Sequence, residues 1–232
     1  GSRNIRTCWY YYKNKNFMNV LTFEIYKLVV LAEQNKKKPA IRLNGLSDIE
    51  WETKEFELEK EIKEILDQHS IDMKHKKGYS INTTNSTTTI FDIFPDLQFY
   101  DYTKYTAKAR KWKEECFPKN YHLTFSYDAN IENDIHNILK YANIAVIVMQ
   151  NASKKITVKS DLLNIGTIRK YDIKDGDLYD GRFLDDKSSG QIILLRADPL
   201  AQKYKLKYKD DSTNKMHHYI IGSIDEFESI FG

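Results

Sequence analysis

Apolar and polar positions alternate along this chain in blocks with two different periods. Over 16–35, Phe17, Leu21, Ile25, Leu28 and Ala32 recur at helical spacing while Glu24, Lys27 and Glu33 stand outside the stripe. That pattern predicts a helix capped by Asn16, followed by a basic end at Lys36–Lys38 and stopped by Pro39. The stretch 39–51 reads P-A-I-R-L-N-G-L-S-D-I-E-W. It predicts a strand with Ala40, Ile41 and Leu43 inside, then a polar end of Asn44, Ser47, Asp48 and Glu50 around Gly45. A second helix is expected from a Thr53 cap to His69, with Phe56, Ile62, Ile65 and Leu66 on its apolar face. The stretch 70–89 is basic at 74–77, then Asn/Thr/Ser-rich, and reads as an exposed loop.

Beyond it, 90–94 is a short apolar turn or helix ended by Pro95, and 97–100 a strand running into Asp101-Tyr102-Thr103-Lys104. A basic helix over 106–115 and a strand over 121–125 come next, the strand ending in Ser126-Tyr127-Asp128-Ala129-Asn130. Asn133 or Asp134 caps a helix to Ala142, and 144–149 is almost purely apolar, as in a strand covered on both faces of a parallel sheet. Alternating helix and strand is the signature of βαβ units. The expected fold is therefore one α/β domain over 1–232, with a mostly parallel sheet of βα units forming a partial barrel or an open sheet. The alternation fades after Gln150, where 156–158, 167–171 and 191–195 read as strands around an acidic segment at 172–186. The C-terminal part is thus expected to be β-rich, ending in an extension over 201–232 with a β pair and a short helix at 224–230.

Composition narrows the function classes. The 232 residues are 41% hydrophobic and 30% charged, enough for a core. With 36 basic against 33 acidic residues the net charge is +3, so bulk charge gives no argument for nucleic acid and only a local patch could. Three patches qualify: 3–13, where Arg3, Arg6 and Lys13 flank Trp9-Tyr10-Tyr11-Tyr12; 74–77; and 108–113. The first reads better as aromatics packed on the domain edge, because they run consecutively and some must be buried. Cys8 and Cys116 stand apart, so this chain supports no iron–sulfur or zinc site. The longest apolar run falls far short of the roughly 20 residues of a membrane helix. Gly1-Ser2 reads as a cloning scar, no signal peptide opens the chain, and a cytoplasmic location is expected.

In parallel α/β folds, ligands bind at the carboxyl ends of the strands. That rule collects Asn44, Ser47, Asp48 and Glu50 from the first strand and Asp101, Thr103 and Lys104 from the second. The third strand contributes Ser126, Asp128 and Asn130. The acidic loop adds Asp175, Asp177, Asp180 and Arg182, and the late strand Arg196. Several carboxylates with a few cations suit a divalent ion and a phosphate. On this reading Asp48, Asp101, Asp128 and Asp177 hold Mg²⁺ or Mn²⁺, and Asp48, Asp101, Lys104 and Asp128 do the chemistry. Asn44, Ser47, Thr103, Ser126, Arg182 and Arg196 bind the substrate, a nucleotide or nucleic-acid phosphate. The same residue types after a strand are also ordinary caps and turns, and Asp175-Gly176-Asp177 is as much a hairpin turn as a metal motif. No glycine-rich phosphate loop and no G-x-S-x-G elbow is present. The alternative is a non-catalytic module binding nucleic acid or a host protein through the three basic patches.

Five phrases occur together in order: I-R-L-N-G-L-S-D-I-E-W-E (41–52), F-P-D-L-Q-F-Y-D-Y-T-K (94–104), N-Y-H-L-T-F-S (120–126), D-G-D-L-Y-D-G-R-F-L-D (175–185) and G-Q-I-I-L-L-R-A (190–197). Taken as a set they resemble the gene product 88-like family of bacteriophage proteins, over about 3–196. The resemblance brings no activity to carry over; it implies a viral protein located in the cytoplasm of the infected host cell. Members are similar in a cysteine-rich segment ahead of the part matching 3–12, which implies a metal or iron–sulfur site on a barrel resembling the radical-SAM type. This chain lacks that segment, so a third reading is a truncated barrel of that type without its cluster.

Overall fold

A computed structural model describes residues 2–45, 47–73, 79–114, 117–128, 134–151, 153, 155–185, 190–207 and 219–232. The side chains of Arg3 and Arg6, the run 74–77, and Cys116, Asn130 and Asn133, all singled out above, lie outside the described residues. The chain divides into two compact units, Gly1–Phe99 with Pro118–Tyr121, and Tyr100–Phe117 with His122–Gly232.

The first unit opens with helices α1 (Ser2–Tyr12) and α2 (Asn14–Gln34). The predicted α2 stripe is out of phase: the buried positions are Met18, Asn19, Thr22, Ile25 and Val29, and Leu28 is exposed. Strand β1 (Ala40–Arg42) is short and half-buried. The predicted Thr53 cap does not form. Thr53 ends a 3-10 turn (Trp51–Thr53), Phe56–Glu57 is strand β2, and helix α3 runs over Lys60–Met73. β2 pairs antiparallel with β3 (Thr87–Thr88). Buried Asn19 fastens α2 to this ribbon, its amide donating to the Glu57 carbonyl at 3.0 Å while its oxygen accepts from the Glu59 N–H at 2.7 Å. Helix α4 (Ile90–Ile93) starts with a capping box between Thr89 and Asp92. Its Phe91 packs on both Phe99 and Tyr121, with ring centroids 4.9 and 4.8 Å apart.

The main sheet contains β4 (Gln98–Thr103), β5 (Tyr121–Ser126), β6 (Ile144–Val148), β7 (Thr167–Ile168), β8 (Tyr171–Asp175), β9 (Gln191–Arg196) and β10 (Ile220–Ile221) besides β1. Its order is β1-β4-β5-β6-β9-β8-β7, with β10 on β6. The order has two ends, so the sheet does not close into a barrel. The pairs β5–β6, β6–β9, β8–β9 and β6–β10 are parallel, while β7–β8 is an antiparallel hairpin. The βα alternation therefore continues past Gln150. Val158–Ile165, which begins inside the strand expected at 156–158, is helix α7, closed by Gly166 at φ 76°.

In the second unit, β6 is the buried spine, a β-branched run that suits a strand covered on both faces. Helices α5 (Thr106–Lys113), α6 (Ile135–Ile138), α7 and α9 (Ile224–Phe231) contribute Ala109, Ile135, Ile138, Leu162, Phe227 and Phe231 to one core with Phe125, Ile144, Val146, Ile192 and Leu194. Helix α8 (Pro199–Lys207) precedes β10.

Candidate functional site

One edge of β6 is wholly taken by β9, from Ile144↔Ile192 to Val148↔Arg196. The other edge is shared. β5 pairs with its first half, through Phe125↔Ile144 and Ser126↔Ala145, and β10 with its second half, through Ile220↔Ile147 and Ile221↔Val148. Thus β5 leaves β6 at its carboxyl end and β10 takes its place. In parallel sheets such a parting of neighbours is where ligands enter.

Lys104 and Asp128 lie beside this opening. Lys104 follows the last residue of β4, and its ammonium is 3.5 Å from the Asp128 carboxylate just past β5. The same ammonium sits 3.7 Å from the centroid of the Tyr219 ring, immediately before β10. Behind it, β4 alternates half-buried and buried residues, so that Phe99, Asp101 and Thr103 share one face. Asp101 and Thr103 thus belong to the strand and not to a loop beyond it, and Asp101 is 0% exposed. Lys108 on α5 is 3% exposed, which removes it from the basic surface expected at 108–113. His122 and Thr124, on one face of β5, are also buried, with Thr124 Oγ1 3.3 Å from His122 Nε2. Ser126 follows on that face, half-buried. A buried charge persists only where it is paired or hydrogen-bonded. Asp101, Lys108 and His122 are thus three buried ionisable groups on β4, α5 and β5 of the second unit. The residue-by-residue reading missed Lys108, His122 and Thr124. For the β5 pair the signal was there, since H-L-T-F-S places His122, Thr124 and Ser126 on one side of a strand.

A second polar group sits on the same rim, where β8 and β9 end. The Lys159 ammonium, near the start of α7, is held 2.5 Å from Asp175 and 2.6 Å from Asp177. Asp177 also accepts the backbone N–H of Arg196 at 3.0 Å. Burial acts to raise the Asp175 pKa. The hydrogen bond from Lys159, the Asp177 N–H, and the charges of Lys159 and Arg182 outweigh it and hold the carboxyl below its ordinary value. Arg182, expected to take phosphate oxygens, is 1% exposed. It donates to the Tyr179 carbonyl, and its charge faces Asp185 at 3.5 Å. Burial pushes Asp185 up, against the opposing hydrogen bond from Tyr179 and the charge of Arg182. The Arg196 side chain is exposed.

Asn44, Ser47 and Asp48 belong to the first unit. The buried Asn44 carboxamide organises its own loop. Its oxygen accepts from Ser47 Oγ at 2.8 Å, the Ile49 N–H at 3.1 Å and Trp51 Nε1 at 2.9 Å, while its amide donates to the Ile49 carbonyl at 3.0 Å. Ser47 is exposed and Asp48 half-buried.

Of the expected metal ligands, Asp128 is paired with Lys104 and Asp177 with Lys159. Among the described residues no group of three or more His, Cys, Asp or Glu is arranged to hold a metal ion, and no helix is long and apolar enough to cross a membrane. The sequence model of the family described as gene product 88 matches residues 1–207 of the chain. No curated protein and no solved structure matches it.

Proposed function

The chain belongs to the gene product 88 family, a phage-type family, and on that premise we propose that it binds and acts on a nucleotide or nucleic-acid phosphate at the carboxyl rim of its second unit. The observation that carries the reading is Lys104, with its ammonium set between the Asp128 carboxylate and the Tyr219 ring where β5 leaves β6. The side chain is 46% exposed, so the cation can meet an incoming phosphate, and Asp128 fixes its position. Mg²⁺ or Mn²⁺ would be held there by a single protein carboxylate plus the phosphate oxygens, as such ions commonly are, and would supply charge neutralisation at the phosphate. Asp128 is the carboxylate at hand, and buried Asp101 and His122 stand in the strands behind it. The alternative of a non-catalytic nucleic-acid module loses Lys108 to burial.

The test is thermal unfolding with ATP or a short oligonucleotide, each with and without Mn²⁺. A ligand at a hundred times its Kd adds about 2.7 kcal/mol to stability. The expected result is a raised midpoint with Mn²⁺ and phosphate ligand together, lost in Lys104→Ala and Asp128→Asn and kept in Tyr219→Phe. No shift in the unaltered protein, or an equal shift in Lys104→Ala, overturns the reading.

A further inference from the structure

The opposite rim of the same parallel sheet has a different charge pattern. Chain direction places Lys140 on the short segment leading into β6, and Arg169 and Lys170 in the turn leading into β8. With β6, β9 and β8 parallel, these residues share the amino edge of the second unit. The His136 ring of α6 stacks on Tyr171, the first residue of β8, at 6.0 Å and 15°. Lys170 lies over the Tyr171 ring at 5.6 Å. The charges of all three cations bear on that histidine. Burial lowers the His136 pKa, and the positive charges of Arg169, Lys140 and Lys170 lower it further, with no carboxylate among the causes.

Lys140, Arg169 and Lys170 are exposed, and among the described residues none is ion-paired with a carboxylate. Lys140 donates to Asn137 at 2.9 Å, and the Asn137 amide donates to Asp134 at 2.9 Å, which leaves that carboxylate two hydrogen bonds away. Lys174, further along β8, is 3.5 Å from Asp172 and so already faces a carboxylate. The turn adds an independent observation. It has two residues between Ile168 and Tyr171, and the first, Arg169, has φ 50°. Tight hairpins favour glycine or asparagine at such a position, yet it holds a long cation.

We infer that this edge, through Lys140, Arg169 and Lys170, is a contact surface for the phosphodiester backbone of nucleic acid. Convergent unpaired cations suit a polyanion. No large apolar side chain is exposed at 134–140 or 167–174, so the surface offers nothing to insert into a lipid bilayer. The inference does not depend on the carboxyl-rim reading.

The test is fluorescence anisotropy of the full chain with a labelled 20-base-pair DNA duplex at 50 and 200 mM salt. The variant is Lys140→Gln/Arg169→Gly/Lys170→Gln, in which glycine also relieves the strained turn, so that folding is preserved. The matched control, Lys36→Gln/Lys37→Gln/Lys38→Gln, removes the same charge from the end of α2. Three phosphate contacts contribute about 2.7 to the slope of log K against log salt. The expected result is binding at least about tenfold weaker at 50 mM salt, with a slope smaller by about 2–3, in the edge variant and not in the control. Absence of duplex binding by the unaltered protein, or equal losses in the two variants, overturns the inference. So does binding to anionic phospholipid vesicles without binding to the duplex.

Discussion

Replacing Lys159 with methionine keeps the stem of the side chain and removes the charge that holds Asp175 and Asp177 together. At an effective dielectric of 20, each contact at about 2.5 Å is worth about 6.5 kcal/mol of Coulomb energy. Taking the ammonium, 7% exposed, out of water offsets several kcal/mol of that. The carboxylates are 26% and 39% exposed, so solvent screens them further. A fully buried pair costs 3–5 kcal/mol when one partner is removed. With the screening here, Lys159→Met is expected to lose about 2–3 kcal/mol at pH 7, read from urea unfolding. The pH dependence has a definite sign. Asp175 titrates below its ordinary 3.8 in the folded chain, so its contribution is present above that value and is lost as pH falls through the lowered folded value. The gap between the unaltered protein and Lys159→Met should therefore narrow as pH drops below 3.8. Asp175→Asn should lose a comparable amount, and the double variant should lose less than the sum. A gap under about 0.5 kcal/mol at pH 7, the range of an ordinary surface change, or one that stays constant down the acid limb, refutes the reasoning.

Asn44→Ala removes four hydrogen bonds within one loop, and a loss of about 2–4 kcal/mol is expected by urea unfolding. Asn44→Asp, which keeps the acceptor, should lose less. Gly190→Ala would place a Cβ 1.9 Å from the Leu139 carbonyl oxygen; the backbone must move, at a cost of about 1–3 kcal/mol in the same assay. Phe231→Ala opens a void beside Phe227, whose ring centroid is 4.7 Å away, and should lose about 3–5 kcal/mol. A loss below about 1 kcal/mol would remove α9 from the core.

Strands that bury both faces were legible from the sequence, because I-A-V-I-V at β6 and Q-I-I-L-L-R at β9 admit little else. The α2 stripe was misphased because apolar residues surround the helix. Val20, Leu28 and Leu31 face solvent, while Asn19 and Thr22 are buried with their polar atoms bonded to Glu57, Glu59, Lys15 and Met18. Hydropathy cannot reveal which polar residues have found partners. Thr53 failed as a cap because Phe56–Glu57 pairs with Thr87–Thr88, some thirty positions away, and a non-local pairing leaves no local signature. At the site, Lys104 and Asp128 follow from strand ends alone. Asp101 required the alternation of F-Y-D-Y-T to be followed through, and the burial of Arg182 depends on the loop folding back so that its guanidinium lies by Gly176.

The two rims of the second unit call for different responses to salt. On the carboxyl rim Lys104 and Lys159 already face carboxylates, so a phosphate arriving there competes with a fixed internal anion and releases few counterions. On the amino rim, Lys140, Arg169 and Lys170 face none among the described residues, so their counterions are mobile and are released when a backbone binds. Raising salt from 50 to 200 mM should weaken the amino-rim contribution by about 40-fold for three phosphates. Binding of a single nucleotide at Lys104 should change far less. The steep dependence therefore belongs to duplex binding alone and should vanish with the edge variant. If nucleotide binding proves as salt-sensitive as duplex binding, the two ligands share one surface and the division between the rims is wrong.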